Sequence, residues 1–315
     1  MLAVIGALVA NGLITILKFI AAVFTGSSGM MAEALHSLAD TTNQVFLLLG
    51  LRFYKRPASE KHPFGYGKER FFWSFIAAIF IFGVGATYAI YEGIQKILHP
   101  HPIENLTLAY WVLGVSFVLE VGSIALALYQ EITEAHHEGI TFGEYLRESK
   151  DPTAKTVIFE DSAALLGIVL AAIGLLLGQY KVAPAEGVMW DGIASVTIGL
   201  VLAIVAFSLA RSSRGLLLGE AATEKDVQAI RTAIKSHASV VEVVELLTMH
   251  LAPKQILVNA HVNLKNELTN EQIVNSIREI EKNIVEAVPK VDMIFLEAAN
   301  QKDSTVKEVI PQHIG

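Results

Sequence analysis

The 315-residue chain is 53% hydrophobic and only 17% charged, a balance too apolar for an ordinary water-soluble domain of its length. Its formal net charge of -7 offers no basic footprint for nucleic acid. With no cysteine the chain can form neither disulfides nor thiolate metal sites, so a bound metal must be held by imidazole, carboxylate, amide or water.

Apolar runs long enough to cross a hydrocarbon core of roughly 30 Å, about twenty residues at helical rise, fall near 2–24, 29–53, 71–97, 108–130, 154–178 and 187–209. Only helices satisfy their own backbone groups in lipid without strand partners, so a six-helix transmembrane bundle is expected over 1–212. The first run lacks a basic leading segment and exceeds a signal-peptide core, and reads as a mature span. Between the second and third runs stand Arg52, Lys55, Arg56, Lys61, Lys68 and Arg70, whereas 98–107 carries no lysine or arginine. That asymmetry places the first of these segments, and both termini, in the cytoplasm, with a bacterial inner membrane as the expected host. The acidic 131–155 connection lacks apolar periodicity over most of its length and reads as a cytoplasmic loop, in which His136 and His137 can capture metal or simply be solvated.

After about residue 215 the texture is that of a soluble domain. Val227, Ile230 and Ile234 recur at helical spacing, a strand-like run covers 240–250, and Ile256, Val258, Ala260, Val262 and Leu264 alternate with polar neighbours as a half-buried strand does. Thr269 and Gln272 fit a capping box ahead of a helix with Ile273, Ile277, Ile280 and Ile284 on one face. A last strand covers 291–297. The order α-β-β-α-β predicts a small α+β, ferredoxin-like cytoplasmic domain over 213–302, followed by a tail at 303–315.

The chemistry is concentrated in the second and fifth spans. His36, Asp40 and Asn43, spaced by four and three, share one face of an otherwise apolar helix that also carries Glu33. A carboxylate at a helix centre in lipid costs about 2.5–3.5 kcal/mol on insertion, so an unpaired ornamental role is disfavoured; the bland alternative is a cluster of interhelical hydrogen bonds. Glu160 and Asp161 open the fifth apolar run about 100° apart around the helix, so both cannot face one partner squarely. If Asp161 faces the second-span stripe, Glu160 approaches from the side, pairs with a cation, carries a proton or meets water at the helix mouth. Glu120 lies deep in the fourth span and, with Glu33, is a candidate to carry a proton or to support the ligands from behind. Lys18 either pairs with a carboxylate or snorkels. Asp191 precedes the sixth apolar run and suits a cap for that helix.

Gly26-Ser27-Ser28 followed by Ala32-Glu33-Ala34-Leu35-His36-Ser37-Leu38-Ala39-Asp40-Thr41-Thr42-Asn43-Gln44 resembles the second-span signature of the cation diffusion facilitators. His62-Pro63-Phe64-Gly65-Tyr66-Gly67-Lys68-Glu69-Arg70 is similar to that family's loop before the third span, and Asp191-Gly192-Ile193-Ala194-Ser195 to the start of its sixth. The resemblance implies a homodimeric exporter of zinc, or of manganese, iron, cobalt or cadmium, working by alternating access against protons. It implies His36, Asp40 and Asp161 as metal ligands, with Val157 where a fourth is usual. The Glu160-Asp161 pair and the Asn43-Gln44 ending resemble the branch that includes a mitochondrial zinc exporter, in which Glu160, Asn43 or water completes the shell. Tyr66 replaces a loop histidine of many relatives, and Leu296-Glu297 stands where some carry a histidine cluster. His261 falls where some relatives place a tail ligand, and His250 is the other candidate there.

Three protein ligands plus water make an exchangeable site, and because ligands shed protons to bind metal, uptake of protons accompanies release. The expected substrates are therefore the ion and protons, with no resident cofactor. The rival from another class is a membrane-embedded metal sensor or scaffold without turnover. A channel fits poorly with one concentrated ligand stripe, and no His-Glu-x-x-His or Gly-x-Ser-x-Gly pattern suggests a hydrolase.

Overall fold

The computed structural model describes residues 2–137, 139, 141–144, 152–179 and 184–299. The chain divides into two compact units, Met1–Leu217 and Leu218–Gly315. Among its described residues the first is built from helices: α1 (Leu2–Thr25), α2 (Ser28–Phe53), α3 (Glu69–Phe80), a π-helical turn (Ile81–Ala86), α4 (Thr87–Leu98), α5 (Leu106–His137), α6 (Pro152–Gln179) and α7 (Pro184–Leu218).

Among the described residues four stretches are long and apolar enough to cross a membrane, namely Glu69–Leu98, Leu106–His137, Val157–Gln179 and Val188–Leu218. Their outer faces display what water would reject: Trp111 and Val118 on α5 are 71% and 70% exposed, and Ile204 and Phe207 on α7 are 70% and 68% exposed. The chain is a multi-pass integral membrane protein. Inside, the core is built largely from small residues, among them Ala21, Ala22, Ala32, Ala86, Ala89, Ala109 and Ala171, which let helix backbones approach. Alpha4 and α7 approach closely, so that a Cβ on Gly93 would stand 2.6 Å from the Gly192 carbonyl oxygen. Ser195 Oγ donates to the Ala89 carbonyl across the same seam at 2.8 Å.

Two sequence expectations are corrected. Residues 131–137 are not loop but the last turns of α5, which runs to His137. Apolar periodicity is missing there because most of this end is exposed, with Ala135 the buried position among 131–137. The helix formers continue nonetheless, and Gly139, in the left-handed region at φ 69°, marks the stop. At the far end of that connection, residues 152–155 already belong to α6, and 138, 140 and 145–151 lie outside the described residues. Asp191 sits within α7 and does not cap it; the carboxylate goes to the start of α2 instead.

That start is fully accounted for. Gly26, at φ 62°, turns the chain out of α1, and its carbonyl receives Lys96 Nζ at 2.5 Å. Ser27 Oγ caps Met30 N at 3.1 Å, while Ser28 N and Gly29 N donate to Asp191 at 2.7 and 3.1 Å. Ser27 Oγ and Ser28 Oγ add two more hydrogen bonds to the same carboxylate, at 2.6 and 3.0 Å. The orphan N–H groups that every helix start presents are thus satisfied without water.

The second unit runs α8 (Glu224–Lys235), β1 (Val240–Ala252), β2 (Gln255–Leu264), α9 (Asn270–Ala287) and β3 (Val291–Ala299). Its sheet has the order β1-β2-β3, with β1 and β2 antiparallel and β2 and β3 parallel, so that β2-α9-β3 forms a βαβ unit. The alternation read along β2 holds: Ile256, Val258, Ala260, Val262 and Leu264 are buried against Ile230, Ile234, Ile280 and Ile284 of the two helices. The capping box at Thr269 and Gln272 is formed on both sides.

Candidate metal site

Alpha2 sets the site. Glu33, His36, Asp40 and Asn43 follow one another up a single helical face, and Glu33, His36 and Asn43 are at most 1% exposed. His36 Nδ1 lies 3.6 Å from Asp40 Oδ1, one turn on. At the top of the stripe Asn43 Nδ2 donates to Glu160 Oε2 of α6 at 2.6 Å, which joins the two helices through polar groups. At the bottom Lys18 Nζ of α1 donates to Glu33 Oε2 at 3.0 Å, both side chains wholly buried.

Asp161 points elsewhere. Its Oδ2 accepts Ser123 Oγ of α5 at 2.8 Å, and Glu120 stands one turn before Ser123 on that helix. Glu160, buried to 6% exposure, is therefore the α6 carboxylate that meets the α2 stripe, while Asp161 faces α5. Asp40 is within electrostatic reach of Glu160, Glu120 and Asp161 and of the Lys18 ammonium. Among the described residues no three histidine, aspartate or glutamate side chains close on one point as a metal cage. Repulsion accounts for this, because carboxylates without a cation between them separate towards neutral donors, here Asn43 and Ser123.

The unsatisfied atoms are informative. Glu33 Oε1, both His36 ring nitrogens, Asp40 Oδ1, Asn43 Oδ1 and Glu160 Oε1 are buried without a hydrogen-bond partner. Each such atom costs about 1–3 kcal/mol, so a run of them along one interface between helices is not a feature of a finished structural core. Nitrogen and oxygen donors with no sulfur suit zinc, manganese, iron or cobalt. Val157 offers no donor one turn before Asp161.

Residues 4–218 match the family model described as "Cation efflux transmembrane domain", and residues 222–296 match "Cation efflux protein, cytoplasmic domain". This chain belongs to the cation diffusion facilitator family. That is a family of transporters and not of enzymes. "Proton-coupled zinc antiporter SLC30A9, mitochondrial" of Mus musculus is 31% identical over 279 residues, covering 86% of this chain and 48% of that protein. "Metal tolerance protein C4" of Arabidopsis thaliana is 32% identical, covering 84% of this chain and 57% of that protein. "Cation-efflux pump FieF" of Shewanella oneidensis is 29% identical, covering 82% and 79% respectively. The chain thus spans about half the length of the mouse relative.

In this cation diffusion facilitator the other candidates lie apart from the stripe. Tyr66 is in the exposed loop before α3, hydrogen bonded to Ser59 Oγ at 3.2 Å and packed on the His62 ring. In the cytoplasmic domain His261 Nε2 lies 2.7 Å from Glu297 Oε2 on the neighbouring strand. His250 pairs in register with Ile256 on the core face of the sheet, whereas His261 pairs with Glu245 on the opposite face. The two histidines cannot grasp one ion together.

Two contributors were not readable beforehand. Ser123 is a small hydroxyl in an apolar span with nothing to set it apart. Asp191 carried a signal, since Ser27-Ser28-Gly29 just after a turn glycine offers four donors in need of an acceptor, but the sequence does not say which remote carboxylate supplies it.

Proposed function

We propose that this chain is a secondary active transporter that moves a divalent transition metal, most often zinc, across a bilayer in exchange for protons. The observation that carries the reading is the set of buried, unpartnered donor atoms of His36, Asp40, Asn43 and Glu160 between α2 and α6. His36, Asp40 and Glu160 supply imidazole and carboxylate donors to the ion, with Asn43 holding Glu160 in place. Asp161 joins when α6 turns or shifts so that it exchanges Ser123 for the ion. A site shared by two helices changes geometry when they move, which is what alternating access requires. Manganese, iron, cobalt and cadmium are the other candidate substrates for the same donors.

The reading includes six membrane-crossing helices, α1 and α2 joining the four longer apolar stretches, with both termini on the cytoplasmic side. It includes a ferredoxin-like cytoplasmic domain that pairs two copies of the chain. Supporting the pairing, the sheet face away from α8 and α9 carries Leu247 at 46% and Phe295 at 52% exposure. Names of relatives that include "proton-coupled zinc antiporter" support the choice of ion and counter-ion.

The test is flux into sealed proteoliposomes holding a zinc-sensitive dye, with and without an imposed pH gradient. Zinc uptake that follows the gradient and disappears in Asp40→Ala is expected. Binding without flux would leave a sensor, and flux that ignores the gradient would remove the proton coupling.

A further inference from the structure

The Lys18–Glu33 ion pair is wholly buried in the helical unit, and the transport reading leaves it unused. Its position is unusual. Glu33, His36 and Asp40 occupy one face of α2 at spacings of three and four, so the pair stands at the foot of the ligand stripe. The Lys18 ammonium is wholly buried 3.0 Å from Glu33 Oε2 and within electrostatic reach of both His36 and Asp40. Glu33 Oε1 has no hydrogen-bond partner and is pressed against Gly167 of α6, where an added Cβ would overlap it. No side chain other than glycine leaves room for the carboxylate at that spot, so α6 shapes the seat in which Glu33 holds the ammonium.

Lysine carries its point charge on a flexible four-carbon stem. An ammonium beside an anionic stripe binds the same carboxylates that a divalent cation binds, and in a low-dielectric interior a unit charge near the ion weakens its binding by about tenfold or more. We propose that Lys18 is a tethered competitor for the metal and that Glu33 is the residue that parks it. With Glu33 in place the ammonium is held at the foot of the stripe and the ion has His36 and Asp40 to itself. When the ion leaves, the same ammonium moves from Glu33 onto the stripe and neutralises it for the return of the empty carrier. Lys18 is thus a residue that sets metal affinity without touching metal.

This inference rests on the proposed transport site and separates from it by experiment. Zinc binding to the full-length protein in detergent is measured by calorimetry, with thermal stability and monodispersity recorded for each variant. Glu33→Gln frees the ammonium and is expected to weaken zinc binding at least tenfold. Lys18→Met/Glu33→Gln removes the competitor as well and is expected to restore affinity to the parent value or tighter. If Glu33→Gln does not fold, Glu33→Asp draws the carboxylate back by one methylene and is expected to give a smaller loss, again reversed by Lys18→Met. Parent-like affinity in folded Glu33→Gln, or a double variant as weak as the single one, overturns the proposal: the first makes the pair a structural strut and the second makes Glu33 itself a zinc-holding group. Asp40→Ala reports on the site alone, and retained binding there overturns the site reading, whatever Lys18 does.

Discussion

Asp191 accepts the backbone N–H of Ser28 at 2.7 Å, so that a carboxylate within α7 finishes the first turn of α2, more than 160 positions earlier in the chain. Four donors converge on that one group, and it is fully buried. Removing it strands helix-start amides in a place without water. Asp191→Ala is expected to destabilise the protein by about 2–4 kcal/mol, since charge-assisted bonds are the stronger kind and the abandoned donors stay buried. Asp191→Asn keeps one acceptor oxygen and is expected to lose about half as much. Thermal unfolding in detergent, following a helical signal, orders the two; equal losses would mean that the hydrogen bonds do not hold this end of α2.

The seam between α4 and α7 gives a second stability prediction with a built-in control. A methyl on Gly93 would meet backbone atoms, the Gly192 oxygen at 2.6 Å and Val196 N at 2.8 Å, neither of which can rotate away. Gly93→Ala therefore forces the helices apart and is expected to cost about 1–3 kcal/mol. Gly114 on α5 has nothing within 4 Å of its added Cβ, so Gly114→Ala is expected to leave the midpoint unchanged or slightly raised. A parallel drop in both would trace the effect to glycine itself and not to the contact.

What could be read from the sequence was whatever has a local cause. The β2 alternation, the Thr269 capping box and the apolar runs are set by neighbours a few residues away, and each appears where its period or cap requires. The polar stripe on α2 was legible for the same reason, because helical spacing alone puts His36, Asp40 and Asn43 on one face. The partners of that stripe were not. Whether Glu160 or Asp161 turns towards α2 depends on the rotation of α6 against two other helices, and the sequence encodes that only through packing along their whole length. Asp191 and Lys18 show the same limit, since each finds its partner in another helix. The end of α5 was missed for the opposite reason: with most of its side chains exposed there is no apolar period, and propensity plus Gly139 were the remaining signals.

The open face of the cytoplasmic sheet leads to a prediction about assembly. Leu247 and Phe295 are 46% and 52% exposed there, on β1 and β3, where a soluble surface would ordinarily be polar. Leu247→Glu combined with Phe295→Glu places like charges on both copies of any face-to-face pairing. Light scattering on the purified protein is expected to shift from two copies to one, while the unfolding midpoint stays within a few degrees because both side chains stand on the exposed face of the sheet and not on its core face. A dimer that persists would assign its contacts to the helical unit.

Zinc binding to a site of His36, Asp40 and Glu160 depends on pH through the protons it displaces. A histidine nitrogen must be free of a proton to hold a metal ion, and a carboxylate likewise, so zinc binding displaces whatever protons the empty site carries. The sign is fixed: affinity rises with pH, by about tenfold per pH unit for each proton displaced, and falls as acid returns those protons. His36→Gln removes the imidazole donor and is expected to weaken zinc binding, and Asp40→Asn is expected to weaken it as much or more. The slope of log affinity against pH, measured on both variants, shows which group gives up the proton. If the His36→Gln slope equals that of the parent, the coupled proton is carried by another group, and Glu160 and Glu120 are the next to be replaced.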